Sequence, residues 1–210
     1  MAKKLYYFNL NGLGESIRFI LHYGGHEFED VRYDRNAWPI KEIKDNLPYG
    51  KVPVYEEGDR KLTQSIAIAK YVGAQSGLVP TDPWEQAVLD AAVLTVYDLW
   101  QDFLPSVRRE PDLVKREENR KKAIAETVPY YLSRFEKQLK TNNGHFGKKL
   151  SWADFVFVGM MEATSLFLGV KVEKDYPTIS ALIAEIRALP RVKEYIKNRP
   201  DTYSPRIKYR

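Results

Sequence analysis

Between Leu47 and Ser65 the chain leaves little freedom in how it can fold. Leu47-Pro48-Tyr49-Gly50-Lys51-Val52-Pro53-Val54-Tyr55 leads into Glu56-Glu57-Gly58-Asp59 and then Arg60-Lys61-Leu62-Thr63-Gln64-Ser65. Apolar β-formers on either side of a Gly-containing turn predict a hairpin. Ile66, Ala67, Ala69, Val72 and Gly73 then recur at helical spacing, so a helix starts after Ser65. Pro53 enters its strand from a Gly-Lys-Val loop, where a cis bond would present the Val52 backbone to an extended peptide. Gln64 and Ser65 fall at the helix N-terminus, where free N–H groups, a hydroxyl and the positive dipole end suit a carboxylate. A strand edge for a peptide backbone beside a cup for its carboxylate is a site for a small acidic peptide.

The residues before this stretch predict strand, helix and strand. Lys4 to Asn9 is a short aromatic strand, and Asn11-Gly12-Leu13-Gly14 reads as a turn. Glu15 to Tyr23 carries Ile17, Ile20 and Leu21 on one helical face and stops at Gly24-Gly25, and Phe28 to Tyr33 alternates as a second strand. Strand, helix, strand, hairpin and helix make a thioredoxin-like α/β half, with parallel strands through the crossover and antiparallel ones through the hairpin.

Gly77 to Pro83 is turn-dense, which places a domain boundary there: residues 1–77, a linker at 78–83, and residues 84–210. The second part reads as an all-α bundle. Trp84 to Val107 is one long helix, and Asp112 to Leu139 is a second, which Pro129 should kink or restart. Ser151 and Asp154 have the spacing of a capping box, ahead of a helix to Leu168 that is apolar nearly all round and so belongs at the bundle centre. Pro177 to Leu189 and Pro190 to Lys197 are two shorter helices. The basic tail from Tyr203 to Arg210 suggests no role.

Composition narrows the chemistry. There are no cysteines, which excludes disulfides, a thiolate zinc site and a cysteine nucleophile, so any sulfur chemistry must come from a ligand. The net charge of +5 comes from Lys and Arg interleaved with Asp and Glu, without a nucleic-acid motif, so neither nucleic acid nor membrane is expected as a partner. No apolar run reaches membrane-spanning length, and Met1-Ala2-Lys3-Lys4 leads straight into a strand, so a cytoplasmic location is expected. His22, His26 and His145 lack metal-ligand spacing, and no metal is expected.

Pro48-x-Gly50-x-Val52-Pro53 followed by Gln64-Ser65-x-Ala67-Ile68 resembles the glutathione-binding half of cytosolic glutathione transferases. Tyr7-Phe8-Asn9 and Ala37-Trp38-Pro39 resemble the sigma class in particular, and the similarity runs from about residue 4 to about residue 202. The resemblance implies a homodimer that conjugates reduced glutathione to hydrophobic electrophiles, a detoxification activity, with Tyr7 stabilising the thiolate of the co-substrate. Strand alternation puts Tyr6 on the opposite face, so one of the two phenols can reach the sulfur. By the same resemblance Phe8, Trp38, Lys44, Lys51, Val52, Gln64 and Ser65 hold glutathione, and Asp98 reaches the glutathione amine of the partner subunit. Gly12, Leu13, Trp100, Phe103 and Leu104 are the candidates for the hydrophobic substrate site, although Trp100 and Phe103 are equally good core residues. Leu13 stands where prostaglandin-synthesising members of the class carry arginine, and Leu94 and Tyr97 stand where they carry acidic residues. The resemblance therefore favours the Gly-Leu-Gly-Glu form of invertebrate members. Glutathione-dependent isomerisation or peroxide reduction of lipids, and a non-catalytic crystallin-like or ligand-binding role, are the competing readings.

Overall fold

A computed structural model describes residues 1–201, so the basic tail at 203–210 lies outside the described residues. β1 (Lys3–Phe8), α1 (Gly12–Tyr23) and β2 (Glu29–Tyr33) form the crossover unit. A short α2 (Lys41–Asp45), the hairpin β3 (Val54–Glu57) and β4 (Arg60–Thr63), and α3 (Ser65–Gln75) follow. The sheet order is β2-β1-β3-β4, with β1 parallel to β2 and antiparallel to β3. Leu5 and Tyr7 point inward while Tyr6 and Phe8 stay half-buried, which is the alternation a pleated strand imposes.

The remaining described chain is helical: α4 (Pro83–Arg108), α5 (Leu113–Lys122), α6 (Val128–Thr141), α7 (Trp152–Leu168), α8 (Pro177–Ala188) and α9 (Pro190–Asn198). The two-layer half and the bundle together make the expected α/β thioredoxin-like plus all-α architecture. Asp82 caps α4 by accepting from the Glu85 N–H at 2.9 Å. The predicted capping box is present at α7, where Asp154 accepts from the Ser151 N–H at 2.7 Å and from its hydroxyl at 2.8 Å.

Three local readings differ. The α1 helix starts at Gly12 rather than Glu15, because Gly12-Leu13-Gly14 is compressed under the Tyr7 ring instead of forming an open turn. The α2 helix buries no residue, so no apolar period announced it. The long helix expected from Asp112 to Leu139 is interrupted by a π turn at Ala123–Thr127 just ahead of Pro129, a residue that cannot donate to the i→i−4 ladder.

The two halves meet where α1 packs on α7 and α9. Gly159 of α7 allows this, since a Cβ there would lie 2.9 Å from the Ser16 backbone nitrogen. Backbone cannot rotate aside as a side chain can. Gly159→Ala should therefore cost about 1–3 kcal/mol, the usual penalty of overpacking a closed interface. A lowered urea midpoint checks this, and an unchanged midpoint would show that the helices separate freely.

Candidate active site

A cleft of about 1030 Å³ opens between the C-terminal edge of the sheet and α4. Tyr7, Phe8, Trp38 and Val52 reach it from the sheet half, Gly12 and Leu13 from the start of α1, and Trp100 and Leu104 from α4. Eight of the residues predicted from sequence are thus gathered on one cavity.

Tyr7 is 5% exposed, and its hydroxyl accepts the Leu13 N–H at 3.0 Å. An oxygen occupied as acceptor by the backbone keeps its own hydrogen free to donate elsewhere. Burial pushes the phenol above its ordinary value, opposed by the Leu13 hydrogen bond and by the positive charges of Arg18, Arg108 and Arg35. It therefore stays protonated near neutrality. Tyr6 faces the other way and donates to Glu56 at 3.4 Å.

The glycines beside Tyr7 fit it closely. A Cβ on Gly14 would overlap the phenol ring, and one on Gly12, where φ is +41°, would lie 2.7 Å from its hydroxyl. Gly14→Ala should displace the ring by about 1 Å, because the new carbon would lie 2.4 Å from it where ordinary contact is ~3.5 Å. Turnover should then fall about 10²-fold, the usual cost of misplacing a reacting group by ~1 Å. Steady-state kinetics check this, and turnover within about twofold of the parent would show that the ring is held by something else.

The other predicted residues lie around this centre. The Val52–Pro53 peptide is cis, and Val52 makes no backbone hydrogen bond among the described residues. Gln64 precedes α3 at φ +69°, a conformation rare for a side chain of its size and most often held at functional sites. The buried Ser65 hydroxyl is hydrogen-bonded to the hydroxyl of Tyr97 on α4. Lys44, Lys51 and Gln64 are exposed and outside the cleft lining, as is Asp98 on the flank of α4.

Phe103 has to be corrected. It is 1% exposed and belongs to the core, because Trp100 and Leu104 share the cleft face of α4 while Phe103 turns inward. Trp100 serves both roles, lining the cleft and donating its indole N–H to Thr164 at 2.7 Å.

Several lining residues were not anticipated: Tyr97, Arg35, Gln101, Pro105, Arg108, Arg109 and Phe167. Arg108 continues the i+4 series of Trp100 and Leu104 on α4, a signal that could have found it. Burial pushes the Tyr97 phenol up to about 12, with the Ser65 hydrogen bond acting against it.

The profile described as "Glutathione S-transferase, N-terminal domain" matches residues 3–74, and the one described as "Glutathione S-transferase, C-terminal domain" matches residues 97–199. The chain belongs to the glutathione S-transferase family. A glutathione S-transferase of Anopheles gambiae is 35% identical over 201 residues, covering 95% of this chain and 97% of that one. The haematopoietic prostaglandin D synthase of Gallus gallus is 34% identical, with 95% and 97% covered. Among solved structures, the prostaglandin synthase D of Nilaparvata lugens superposes with a TM-score of 0.89 at 36% identity, covering 95% of this chain and 99% of that one. This transferase is thus similar to relatives that span it almost end to end. The family uses glutathione as co-substrate and binds hydrophobic ligands.

Proposed function

We propose that this glutathione S-transferase is of the sigma class and that Tyr7 drives conjugation by donating its hydroxyl hydrogen to the sulfur of bound glutathione. The observation that carries this is the Tyr7 hydroxyl itself, which is buried at the cleft and engaged as acceptor by Leu13, so that its proton is left to donate. A thiolate is a far better nucleophile than a thiol, and a donor aimed at the sulfur favours the charged form. The sulfur then attacks an electrophile held against Leu13, Trp100 and Leu104.

In the same reading residues 1–77 carry the tripeptide and 84–210 supply the apolar wall across the 78–83 linker. Val52 pairs with the glutathione backbone, Phe8 packs beside it, and Trp38, Lys44 and Lys51 face its glycine end. Gln64 and Ser65 take the γ-glutamyl end at the N-terminus of α3, where the dipole favours an anion. Asp98 is exposed and has no ion pair among the described residues, as suits a carboxylate reserved for the glutathione ammonium of a second subunit. The working unit is then a two-fold homodimer. Among the described residues no helix is long and apolar enough to cross a membrane, which agrees with a cytoplasmic detoxifying enzyme.

The test is direct. The protein should bind glutathione by calorimetry and conjugate it to an activated aryl halide. Binding without turnover would leave a ligand-binding protein, and absence of both would end the proposal.

A further inference from the structure

Ser65 opens α3 in the half that carries the proposed tripeptide contacts, yet its hydroxyl is tied to the other half. Its side-chain hydrogen bond is to the hydroxyl of Tyr97, which comes from α4 in the helical bundle. Among the described residues neither hydroxyl has a second partner. Ser65 is 6% exposed and lies outside the cleft lining, whereas Tyr97 is half-buried and lines the cleft. Tyr97 therefore connects the start of α3 with the cavity.

The hydrogen bond has a preferred direction. A phenol is the stronger acid of the two hydroxyls, and its oxygen lone pair is partly drawn into the ring. Tyr97 is thus the better donor and Ser65 the better acceptor. Burial pushes the Tyr97 phenol up to about 12, which keeps it protonated at any working pH. A serine hydroxyl carries one hydrogen, and with its oxygen engaged by Tyr97 that hydrogen is left for a ligand. Linked O–H groups polarise one another, so the Ser65 hydrogen becomes the stronger donor for it.

The Gln64 side chain makes no cap hydrogen bond, so the first N–H groups of α3 stay open beside this hydroxyl. A carboxylate in place of Tyr97 would offer Ser65 acceptors alone and would repel an anion bound there. The phenol does neither. We propose that Tyr97 is a positioning residue for glutathione, which from the helical half fixes the Ser65 hydroxyl so that its hydrogen is held out to the γ-glutamyl carboxylate. This rests on the glutathione reading above and adds to it a residue that acts through Ser65 rather than on the sulfur. The cup for the carboxylate is then complete only when α4 packs against α3.

Calorimetry and steady-state kinetics on Tyr97→Phe, Ser65→Ala and the double variant test this. Tyr97→Phe keeps the ring, and the Lys70–Asp90 ion pair at 2.8 Å still joins α3 to α4, so the seam stays closed. Its Kd and KM for glutathione should rise about three- to tenfold, the usual worth of one hydrogen bond, while kcat at saturating glutathione changes less. Ser65→Ala should lose at least as much. The double variant should lose no more than Ser65→Ala alone, because Tyr97 acts through that hydroxyl. The analogue 4-aminobutyryl-cysteinyl-glycine lacks the α-carboxylate of the γ-glutamyl residue, and it should bind the parent and Tyr97→Phe alike. Additive losses in the double variant would overturn the inference, as would equal weakening of the two peptides. So would a fall in kcat with glutathione affinity unchanged, which would put Tyr97 on the electrophile. Glutathione binding that weakens as described, without conjugation in the parent, would overturn the conjugation reading and support the role of Tyr97. Conjugation in the parent with the same Kd in Tyr97→Phe would do the reverse.

Discussion

Tyr7→Phe should lower kcat/KM for conjugation at least tenfold at neutral pH, and by about 10²-fold if the phenol contributes what a preorganised donor usually does. The substitution keeps the ring that packs under Gly12 and Gly14 and removes the hydroxyl alone. Leu13 loses its acceptor as well, so its N–H must find water or the ligand. The pH dependence gives a sharper reading. A free thiol ionises near ~8.5, and a donor at the sulfur brings that value down in the complex. Without the donor the ionisation moves back up, so the deficit should be largest at pH 6–7 and shrink as pH rises through ~8.5. Tyr7 itself adds no limb below ~10, because burial raises its own ionisation above that value. Rate–pH profiles and the ultraviolet absorbance of the bound thiolate follow these changes. Tyr6→Phe is the control, since Tyr6 faces Glu56. Equal losses in the two variants, or an unshifted profile, would remove Tyr7 from the chemistry.

Arg18→Met should cost about 3–5 kcal/mol of folding stability, a large share of the ~5–15 kcal/mol a domain has. Arg18 is fully buried and meets Glu15 at 3.1 Å and Asp30 at 2.9 Å. It also donates to the carbonyls of Leu10 at 2.9 Å and Phe8 at 3.2 Å, and so holds the segment that follows Tyr7. Removing it leaves the buried Glu15 carboxylate with Arg199 and the Tyr195 hydroxyl, both from the C-terminal end of the chain where α9 packs on α1, and deprives it of its fully buried cation. An uncompensated buried charge is the expensive outcome, far more than the loss of the pair itself. The urea midpoint should drop with little change in slope. A loss under ~1 kcal/mol would mean that Arg199 alone neutralises Glu15. Because Arg18 holds the Phe8 and Leu10 carbonyls, turnover per folded molecule should fall too.

Much of the scaffold was legible because its signals are local. The Gly58 turn, the alternation of Tyr6 with Tyr7, and the Ser151-x-x-Asp154 cap each depend on residues within a few positions of one another. The hairpin and the helix after Gln64 followed from the same short-range logic. The α2 helix was not legible, because it buries nothing and therefore carries no period.

Local pattern determined the order of elements, the face on which Tyr7 lies, and the exclusion of any cysteine nucleophile. What only the tertiary structure decided is which side chains meet across the halves. Phe103 and Leu104 are equally apolar, and only the packing of the bundle puts Phe103 in the core and Leu104 on the cleft. Ser65 with Tyr97, Arg35 beside Arg108, and Glu15 with Tyr195 at a separation of 180 positions are pairings that no spacing announces. Charge and hydrogen bonding act through space over a few ångströms, so a cleft closed by distant segments acquires its electrostatics only when those segments pack.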